Sequence, residues 1–347
     1  MSREAIDKLL GARRPDYSGT IAKAAYLAAA RAAALYDRAA KVEKTDPAAT
    51  RLLDPHAVLK ADATVGMIAD HGALTQAAVG AYVASLAPIS AGARLIEAGQ
   101  RVNLKPFSTI SYPRLADTPT AVAWVGEGAP IPVGSLDLDG DALGPMRKAG
   151  VSLVTSRELL KASNGASVLD LVLRERAAAT IDAAIFSDAE GDDIIHPGLL
   201  FGAASVSSCG DPVTDVEALI AGLADAGGTG GAMIACNPRE AATLRVRLPQ
   251  LSYPVLETKA LAAGTVVAID PASFASSFGE IDIQASESAT LHMADDPAEI
   301  VSGTGPATAD PVRSAWQTAC VSLRLLIDMS FISRGNRVAK MEGVSWL

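Results

Sequence analysis

Two apolar runs with a polar stretch between them stand out in the middle of the chain. The first run ends at Trp124, and the second, Ala149 to Thr155, alternates apolar and polar residues as a half-buried strand does. The roughly twenty residues between them are rich in Gly, Pro and Asp, and a loop of that length in a compact domain is usually functional or disordered. The pattern therefore predicts two strands that carry a long projecting hairpin.

A long helix is predicted soon after the hairpin. Apolar residues recur three and four apart from Val168 to Ala189 after Ser167 as the N-cap, which predicts a rod of roughly 33 Å. A short helix, Arg157 to Lys161 with Ser156 as its N-cap, precedes it. Further helices are predicted at 213–226 and 239–247, and extended segments at 102–107, 110–115, 232–236, 274–296, 319–327 and 338–346.

The N-terminal part of the chain also has helical spacing. Residues 2–44 predict helix, with a break at Pro15 to Gly19 and a stop at Thr45 to Pro47. Apolar positions from Ile21 to Val42 follow heptad spacing, but most of them are Ala, so any coiled coil would be weak. We expect a surface helix with one stripe of small residues.

Composition favours a globular chain with an aliphatic core. Of the 347 residues 49% are hydrophobic and 4% aromatic, so Ala, Val, Leu and Ile must fill the interior. The formal net charge is −9; residues 1–44 carry +4 and the remainder −13. An acidic body is a poor candidate for tight binding to a phosphate backbone, which requires clustered cations. No run approaches the length of an apolar membrane span, so no membrane partner is expected.

Candidate catalytic and metal-binding residues are few. The cysteines, Cys209, Cys236 and Cys320, are odd in number and lack C-x-x-C spacing, which favours a reducing compartment and buried thiols. The scattered histidines show no H-E-x-x-H motif, and His196 is expected to face solvent or to hydrogen-bond and orient a loop rather than to bind a metal. A G-x-S-x-G nucleophile motif is also absent from the sequence. We therefore predict no catalytic residue, no metal site and no cofactor.

A glycine run and two acidic pairs resemble ligand-binding motifs but are better explained by local structure. Gly227 to Gly231 lacks the flanking elements and the G-K-[ST] ending of a phosphate loop, so it predicts a tight connection between a helix and a strand. The acidic pairs Asp139 with Asp141 and Asp192 with Asp193 lack the spacing of a calcium loop. Turn formation is the preferred explanation for both pairs.

The order of the motifs resembles a known family. The run W-V-G-E-G-A-P-I-P from Trp124, the polar excursion, and K-A-G-V-S-L-V-T-S-R-E-L-L from Lys148 resemble the extended loop and following strand of tailed-phage major capsid proteins of the Hong Kong 97 fold. The long helix, the strand followed by N-P-R and a helix, and the late run A-C-V-S-L-R-L-L-I-D continue the resemblance, which covers residues 107–347.

The resemblance implies an α+β chain with the Hong Kong 97-like capsid fold. Its expected parts are a helical, scaffold-like N-terminal extension at 1–98, an arm at 99–119, an extended loop with its strands at 120–155, a peripheral domain with the spine helix at 156–210 and 312–347, and an axial domain at 211–311. Whether the N-terminal extension is cleaved off is left open.

The implied function is that of a major capsid protein. Copies would associate as hexamers and pentamers of an icosahedral shell that encloses double-stranded phage DNA without sequence-specific binding. Portal, scaffold or protease proteins are implied as further partners. The implied location is the virion, after assembly in the host cytoplasm.

The implied site is an assembly surface on the extended loop, where one copy contacts its neighbour. The expected contact residues are Trp124, Glu127, Pro130, Pro132, Leu136, Leu138 and Lys148. Some members of the family join subunits covalently through a loop lysine. Residues 131–145 contain no lysine and Lys148 lies near the base, so non-covalent contacts are expected.

Two alternative functions remain open at this point. A bacterial encapsulin shares the resembled fold but encloses enzyme cargo, and a soluble α/β enzyme could use residues 120–148 as a lid. The N-terminal extension and the W-V-G-E-G-A-P motif favour the phage protein over the encapsulin. The lack of a recognisable acid, base and nucleophile set disfavours the enzyme.

Overall fold

The computed structural model describes most of the chain after residue 80 and parts of the segment before it. The described residues are 19–33, 36–46, 49, 81–104, 108–115, 138–161, 165–288, 290–292 and 312–346. The helices are α1 (Thr20–Ala32), α2 (Tyr36–Thr45), α3 (Ala91–Ala98), α4 (Arg157–Lys161), α5 (Gly165–Ile185), α6 (Pro212–Asp225) and α7 (Pro238–Arg247). The strands are β1 (Gln100–Arg101), β2 (Ile110–Leu115), β3 (Leu138–Leu143), β4 (Arg147–Ser156), β5 (Ala204–Ser207), β6 (Met233–Cys236), β7 (Val255–Glu257), β8 (Val266–Ile269), β9 (Phe274–Ser286), β10 (Thr290–His292), β11 (Val312–Ser314), β12 (Cys320–Ser333) and β13 (Val338–Glu342).

The strands of the described residues form four sheets. The largest has the order β5-β13-β8-β6-β7, and a second has the order β1-β9-β12-β4. β2 pairs with β3, and β10 pairs with β11, in two-stranded sheets. β13 is parallel to β5 and antiparallel to β8, and β6 is parallel to β7 and antiparallel to β8. Mixed sheets with separate helices agree with the expected α+β class.

The chain divides into two compact units. The first takes the described residues of Met1–Ser85, Ala149–Ala177 and Glu280–Ile327, and the second takes those of Leu86–Lys148, Ala178–Gly279 and Asp328–Leu347. This division differs from the domain boundaries expected from the sequence. β5 and β13, which the sequence places in the peripheral domain, share a sheet with β6, β7 and β8 of the expected axial domain. Pairing between strands that are distant in the sequence causes the difference.

The core of the first unit is built on α1. Leu27 and several alanines of α1 are fully buried. They belong to one cluster with Leu160 of α4, Leu173 of α5 and Leu323 of β12. Tyr26 adds a hydrogen bond from its hydroxyl group to the carbonyl oxygen of Leu160 at 3.0 Å. The prediction of a surface helix is therefore wrong for α1, because its small alanine side chains allow close packing on more than one side.

The core of the second unit lies between the five-stranded sheet and the helices α6 and α7. β6 and β8 are buried at every position, as is typical of strands covered on both faces. Ile234 and Val266 of these strands pack in one cluster with Leu219 of α6 and Leu244 of α7. The cluster therefore fixes both helices against the sheet.

A buried carboxylate ties α5 to α3 within the second unit. Asp182 accepts hydrogen bonds from Ser90 Oγ at 2.5 Å and from Gly92 N at 2.8 Å. It also accepts one from Thr258 Oγ1 at 2.8 Å. Ser90 is itself the N-cap of α3, because its Oγ accepts a hydrogen bond from Ala93 N at 2.9 Å. The charge of Asp182 is thus balanced by donors at a helix N-terminus.

The predicted long helix is confirmed as α5, with shifted ends. It begins at Gly165, so Ser167 lies inside the helix rather than at its N-cap. It ends at Ile185, earlier than predicted, and the carbonyl group of Ser187 accepts a hydrogen bond from Leu200 N. The chain after Ile185 therefore bonds to a later segment instead of continuing the helix.

Several shorter elements agree with the sequence predictions. α4 has the predicted bounds, and Ser156 Oγ accepts a hydrogen bond from Leu159 N at 3.2 Å. α6, α7 and the extended segment at 110–115 are also present. The glycine run Gly227 to Gly231 connects α6 to β6, as predicted. Among the described residues, no helix has the length and apolar character that crossing a lipid bilayer requires.

Candidate assembly surface

The base of the predicted hairpin is a two-stranded ribbon of β2 and β3. The strands are antiparallel, with Ile110 opposite Leu143 and Leu115 opposite Leu138. The hairpin predicted from the sequence joins the run ending at Trp124, which lies outside the described residues, to residues 149–155, which are confirmed as a strand, β4, at the edge of the four-stranded sheet. β3 was missed because its sequence, L-D-G-D-A-L, contains Gly and two Asp, and the backbone hydrogen bonds to β2 stabilise it instead.

The structure places the predicted contact residues in two groups. Trp124, Glu127, Pro130, Pro132 and Leu136 lie outside the described residues. Leu138 is the first residue of β3, and Lys148 is exposed on β4. Because Leu115 and Leu138 are register partners, the segment between them leaves and rejoins the ribbon at adjacent positions.

The end of β3 opposite to this segment is fixed by packing. Leu143 is fully buried and clusters with Leu104, Met146 and Ala275. The next residue, Gly144, has φ +104°, which disfavours any side chain. A Cβ atom on Gly144 would lie 2.5 Å from the carbonyl oxygen of Ser108. The ribbon is therefore held at one end by a small core and a close backbone approach.

A side chain of β3 provides a second attachment. Asp141 Oδ2 accepts a hydrogen bond from Gly335 N at 2.6 Å. Gly335 lies in the 3-10 turn Arg334–Asn336 with φ +68°. The prediction that Asp141 forms a turn is therefore wrong, since it is a strand residue that binds another turn. Its partner is 194 residues away in the sequence, so no local pattern indicates this role.

The other acidic pair, Asp192 with Asp193, lies in a turn, as predicted. The turn is part of an exposed loop, Gly191 to Gly198, which we call the isoleucine loop. Asp192 accepts hydrogen bonds from the backbone N–H groups of Ile194 and Ile195, both at 2.6 Å. These hydrogen bonds, that of Ile195 first, lower the pKa of Asp192. The isoleucine side chains are 80% and 56% exposed. The loop thus presents two aliphatic side chains on a hydrogen-bonded turn.

His196 fixes the far side of the isoleucine loop. Its Nε2 atom lies 3.1 Å from Ser330 Oγ and accepts a hydrogen bond from Phe331 N at 3.3 Å. Nδ1 lies 2.8 Å from the carbonyl oxygen of Pro197, so the proton of the neutral ring belongs on Nδ1. Burial of the ring lowers the pKa of His196, which favours this neutral form. The prediction of a hydrogen-bonded loop histidine is confirmed.

Arg147 supports the same loop from β4. Its Nη2 atom donates a hydrogen bond to the carbonyl oxygen of Asp192 at 2.9 Å. The guanidinium group also lies 3.6 Å from Asp193 Oδ1, although the carboxylate of Asp193 is fully exposed. Sequence reasoning missed this surface, although an Ile-Ile pair between Asp-Asp and His-Pro-Gly was a visible signal. Adjacent isoleucines are unusual in a polar loop, because they have little to pack against there.

The cysteines differ in exposure. Cys236 is fully buried in β6, and burial raises the pKa of its thiol to about 12, so it is inert packing, as predicted. Cys209 is exposed and Cys320 is partly buried, so the prediction of buried thiols is wrong for Cys209. Cys209 lies in the irregular segment before α6, where its backbone N–H donates to Asp215 at 2.7 Å.

A cavity of about 280 Å³ in the second unit lies beside the first turn of α7. Glu240 lines it and accepts a hydrogen bond from Gly264 N at 2.9 Å through Oε1. Its other lining residues include Thr243, Ser345 and Trp346, which do not form a nucleophile and base pair. Across the described ranges no group of three or more metal-ligating side chains comes together.

Comparisons with known proteins give matches in sequence and in fold. No protein-family model matches the sequence. A capsid polyprotein of Pseudomonas phage PAJU2 is 26% identical over an alignment of 257 positions that covers 64% of this chain. The chain spans about 37% of the length of that relative. A solved structure from Mycobacterium phage Adephagia matches 70% of this chain and 83% of its own, with a TM-score of 0.50 and 16% identity. A capsid chain of a native GTA particle has a TM-score of 0.48, with 14% identity over 74% of this chain and 90% of its own.

These similarities bear on the expectations from the sequence. The predicted similarity to phage proteins is confirmed. The predicted Hong Kong 97 fold is confirmed as well. Neither the encapsulin nor the soluble enzyme is supported by the comparisons.

Proposed function

We propose that this chain, which has the Hong Kong 97 fold, is a major capsid protein of a tailed phage. Copies of it associate as hexamers and pentamers into an icosahedral shell. The observation that carries the proposal is that sequence and fold point to the same class. The sequence is similar to a phage capsid polyprotein, and the fold is similar to a phage structure.

The ribbon of β2 and β3 supports a role in association. The segment between these strands leaves the ribbon opposite to its buried end, where Leu143 and Asp141 fix it. In the proposal, this segment contacts a neighbouring copy through Trp124, Glu127, Pro130, Pro132 and Leu136, and Leu138 and Lys148 contribute from the adjoining strands. The segment contains no lysine, so its contacts are non-covalent.

Charge supports a container rather than a nucleic-acid-binding protein. The chain carries a formal net charge of −9, and all of its acidic excess lies after residue 44, where the net charge is −13. In the proposal, the shell encloses double-stranded DNA without sequence-specific contacts, because an acidic surface repels the phosphate backbone. Portal, scaffold or protease proteins are further proposed partners, with assembly in the host cytoplasm and final location in the virion.

A deletion of the segment between β2 and β3 tests the proposal. Because Leu115 and Leu138 are register partners, Asn-Gly in place of residues 116–137 can close the ribbon with a two-residue turn. The deletion keeps Leu143 and Met146, which are core residues. We expect the unaltered chain to form shells or capsomers in negative-stain micrographs, and the deletion variant to remain folded but dispersed.

A matched control keeps the length of the segment and replaces its residues by a Gly-Ser sequence. We expect the Gly-Ser variant also to stay dispersed, because it keeps the length of the segment but lacks its contact side chains. Lys148→Ala removes the lysine nearest to the segment and should still assemble, since the proposed contacts are non-covalent. Light scattering during size-exclusion chromatography measures the mass of each species. An unaltered chain that elutes only as a monomer or a small closed oligomer would refute the proposed function.

A further inference from the structure

The isoleucine loop combines exposure with order. Asp192 and His196 hold its backbone through the hydrogen bonds described above, and Gly191 has φ +82° with no room for a Cβ atom beside Pro197. A loop that is already ordered loses little conformational entropy on binding. Nothing within the described residues covers Ile194, which is 80% exposed. The loop therefore has the properties of a contact surface rather than of a simple connection.

The charge around the two isoleucines is acidic. Exposed carboxylates stand beside them on the same stretch, namely Asp188, Glu190, Asp192 and Asp193. Arg147 offsets part of this charge from within the chain. A partner surface must therefore offer aliphatic side chains next to positive charge.

The C-terminal turn of α7 has these two properties. Val246 is 80% exposed and lies between Arg245 and Arg247, which are both exposed. Arg245 forms an ion pair with Glu257 of its own chain, whereas no ion pair of Arg247 is found within the described residues. The helix dipole favours arginines at this end. The helix dipole does not explain why Val246, an apolar residue, is exposed between these arginines.

We infer that the isoleucine loop of one copy docks on the C-terminal turn of α7 of a second copy. Ile194 and Ile195 pack against Val246, and Asp193 pairs with Arg247. This inference rests on the proposed function, because it requires copies of the chain to associate. It adds a contact that does not involve the segment between β2 and β3.

The symmetry of such a contact follows from its charges. A loop against a loop would place carboxylates together, and two α7 turns would place arginines together, so contacts between identical surfaces are disfavoured. The contact is therefore heterologous, and heterologous contacts close into rings when the rotation between copies permits. The hexamers and pentamers of the proposed function are such rings. The three aliphatic side chains form only part of such an interface, since stable interfaces bury about 1,000 Å² or more.

A charge exchange tests the inference on the full chain. Asp193→Arg and Arg247→Glu each place like charges opposite one another, and we expect each to raise the dissociation constant of the oligomer about tenfold or more. The double variant restores opposite charges, so its dissociation constant should return close to that of the unaltered chain. Sedimentation velocity over a concentration series measures these constants.

Uncharged variants test the apolar part of the same contact. Ile194→Ser and Val246→Ser should each weaken association, and both changes are exposed, so circular dichroism should show unchanged folding. Matched controls are Glu217→Arg, an exposed charge reversal on α6, and Val213→Ser, a valine of α6 that is 45% exposed. The controls should associate like the unaltered chain.

The outcomes separate this inference from the proposed function. An unaltered chain that does not associate would refute the proposed function itself. If the unaltered chain associates and all four contact variants associate equally well, the docking inference is overturned while the function stands. Single charge variants that weaken association without recovery in the double variant would overturn the pairing of Asp193 with Arg247.

Discussion

Asp215 is predicted to contribute strongly to the stability of the second unit. It is 1% exposed and accepts hydrogen bonds from Ser208 Oγ at 2.6 Å, Cys209 N at 2.7 Å and Trp346 Nε1 at 2.7 Å. Burial acts to raise the pKa of Asp215, but the three hydrogen bonds outweigh it and lower the pKa to about 2. The ionised carboxylate therefore joins α6 to the C-terminal tryptophan.

The size of the effect can be worked out in two ways. A shift of the pKa from 3.8 to about 2 corresponds to roughly 2 kcal/mol in favour of the folded state. Asp215→Ala removes the acceptor of three hydrogen bonds, of which that of Trp346 is buried and those of Ser208 and Cys209 are partly buried, at a cost of about 1 kcal/mol each. Both routes predict a loss of roughly 2–3 kcal/mol in the free energy of unfolding at neutral pH.

Urea unfolding monitored by tryptophan fluorescence measures this loss. Trp346 is the reporter once Trp124 and Trp316 are replaced by Phe, and a low protein concentration keeps association from adding to the stability. Because the folded-state pKa of Asp215 is lowered, its contribution is present above pH 3.8 and is lost as the pH falls towards about 2. Asp215→Asn should lack this part of the pH dependence.

The matched control is Glu217→Gln, an exposed acidic residue on the same helix. It should change the free energy of unfolding by no more than about 0.5 kcal/mol. An Asp215→Ala variant as stable as this control would contradict the assignment of Asp215 as a buried anchor.

Three further predictions follow from the described geometry. Thiol reagents at mild alkaline pH should label Cys209 in the folded chain but not Cys236, detected by intact-protein mass spectrometry; equal labelling would contradict the burial of Cys236. Because burial lowers the pKa of His196, acid favours the unfolded state, so the melting temperature should fall below about pH 6.5 more steeply than in His196→Gln. Gly144→Ala should reduce stability by about 1 kcal/mol or more, because of its φ and its approach to Ser108; an unchanged denaturation midpoint would refute this.

Local patterns were sufficient for the helices and for several buried strands. α5 follows from apolar residues at helical spacing, and α4 from Ser156 ahead of a short apolar run. The continuous apolar run of β6 also marks it as buried on both faces. These signals are contained in neighbouring residues, which is why the sequence alone indicates them.

Features that depend on distant partners were not predictable in this way. The strand β3 has a polar, glycine-containing sequence and is stabilised by pairing with β2. Asp141 gains its role only through Gly335, far along the chain. The alanines of α1 look like a weak surface stripe until the packing of Leu160 and Leu323 against the same cluster is known. Side chains with ambiguous local patterns thus receive their structural roles from tertiary contacts.

In the proposed function, copies of this chain build a closed shell, and the segment 116–137 of each copy binds a neighbour. A cryo-electron microscopy reconstruction of the assembled, purified chain can show this contact. We expect an icosahedral particle of hexamers and pentamers in which residues 116–137 of one copy lie on a neighbouring copy. Particles in which those residues contact only their own chain, or a chain that forms no closed particle, would contradict it.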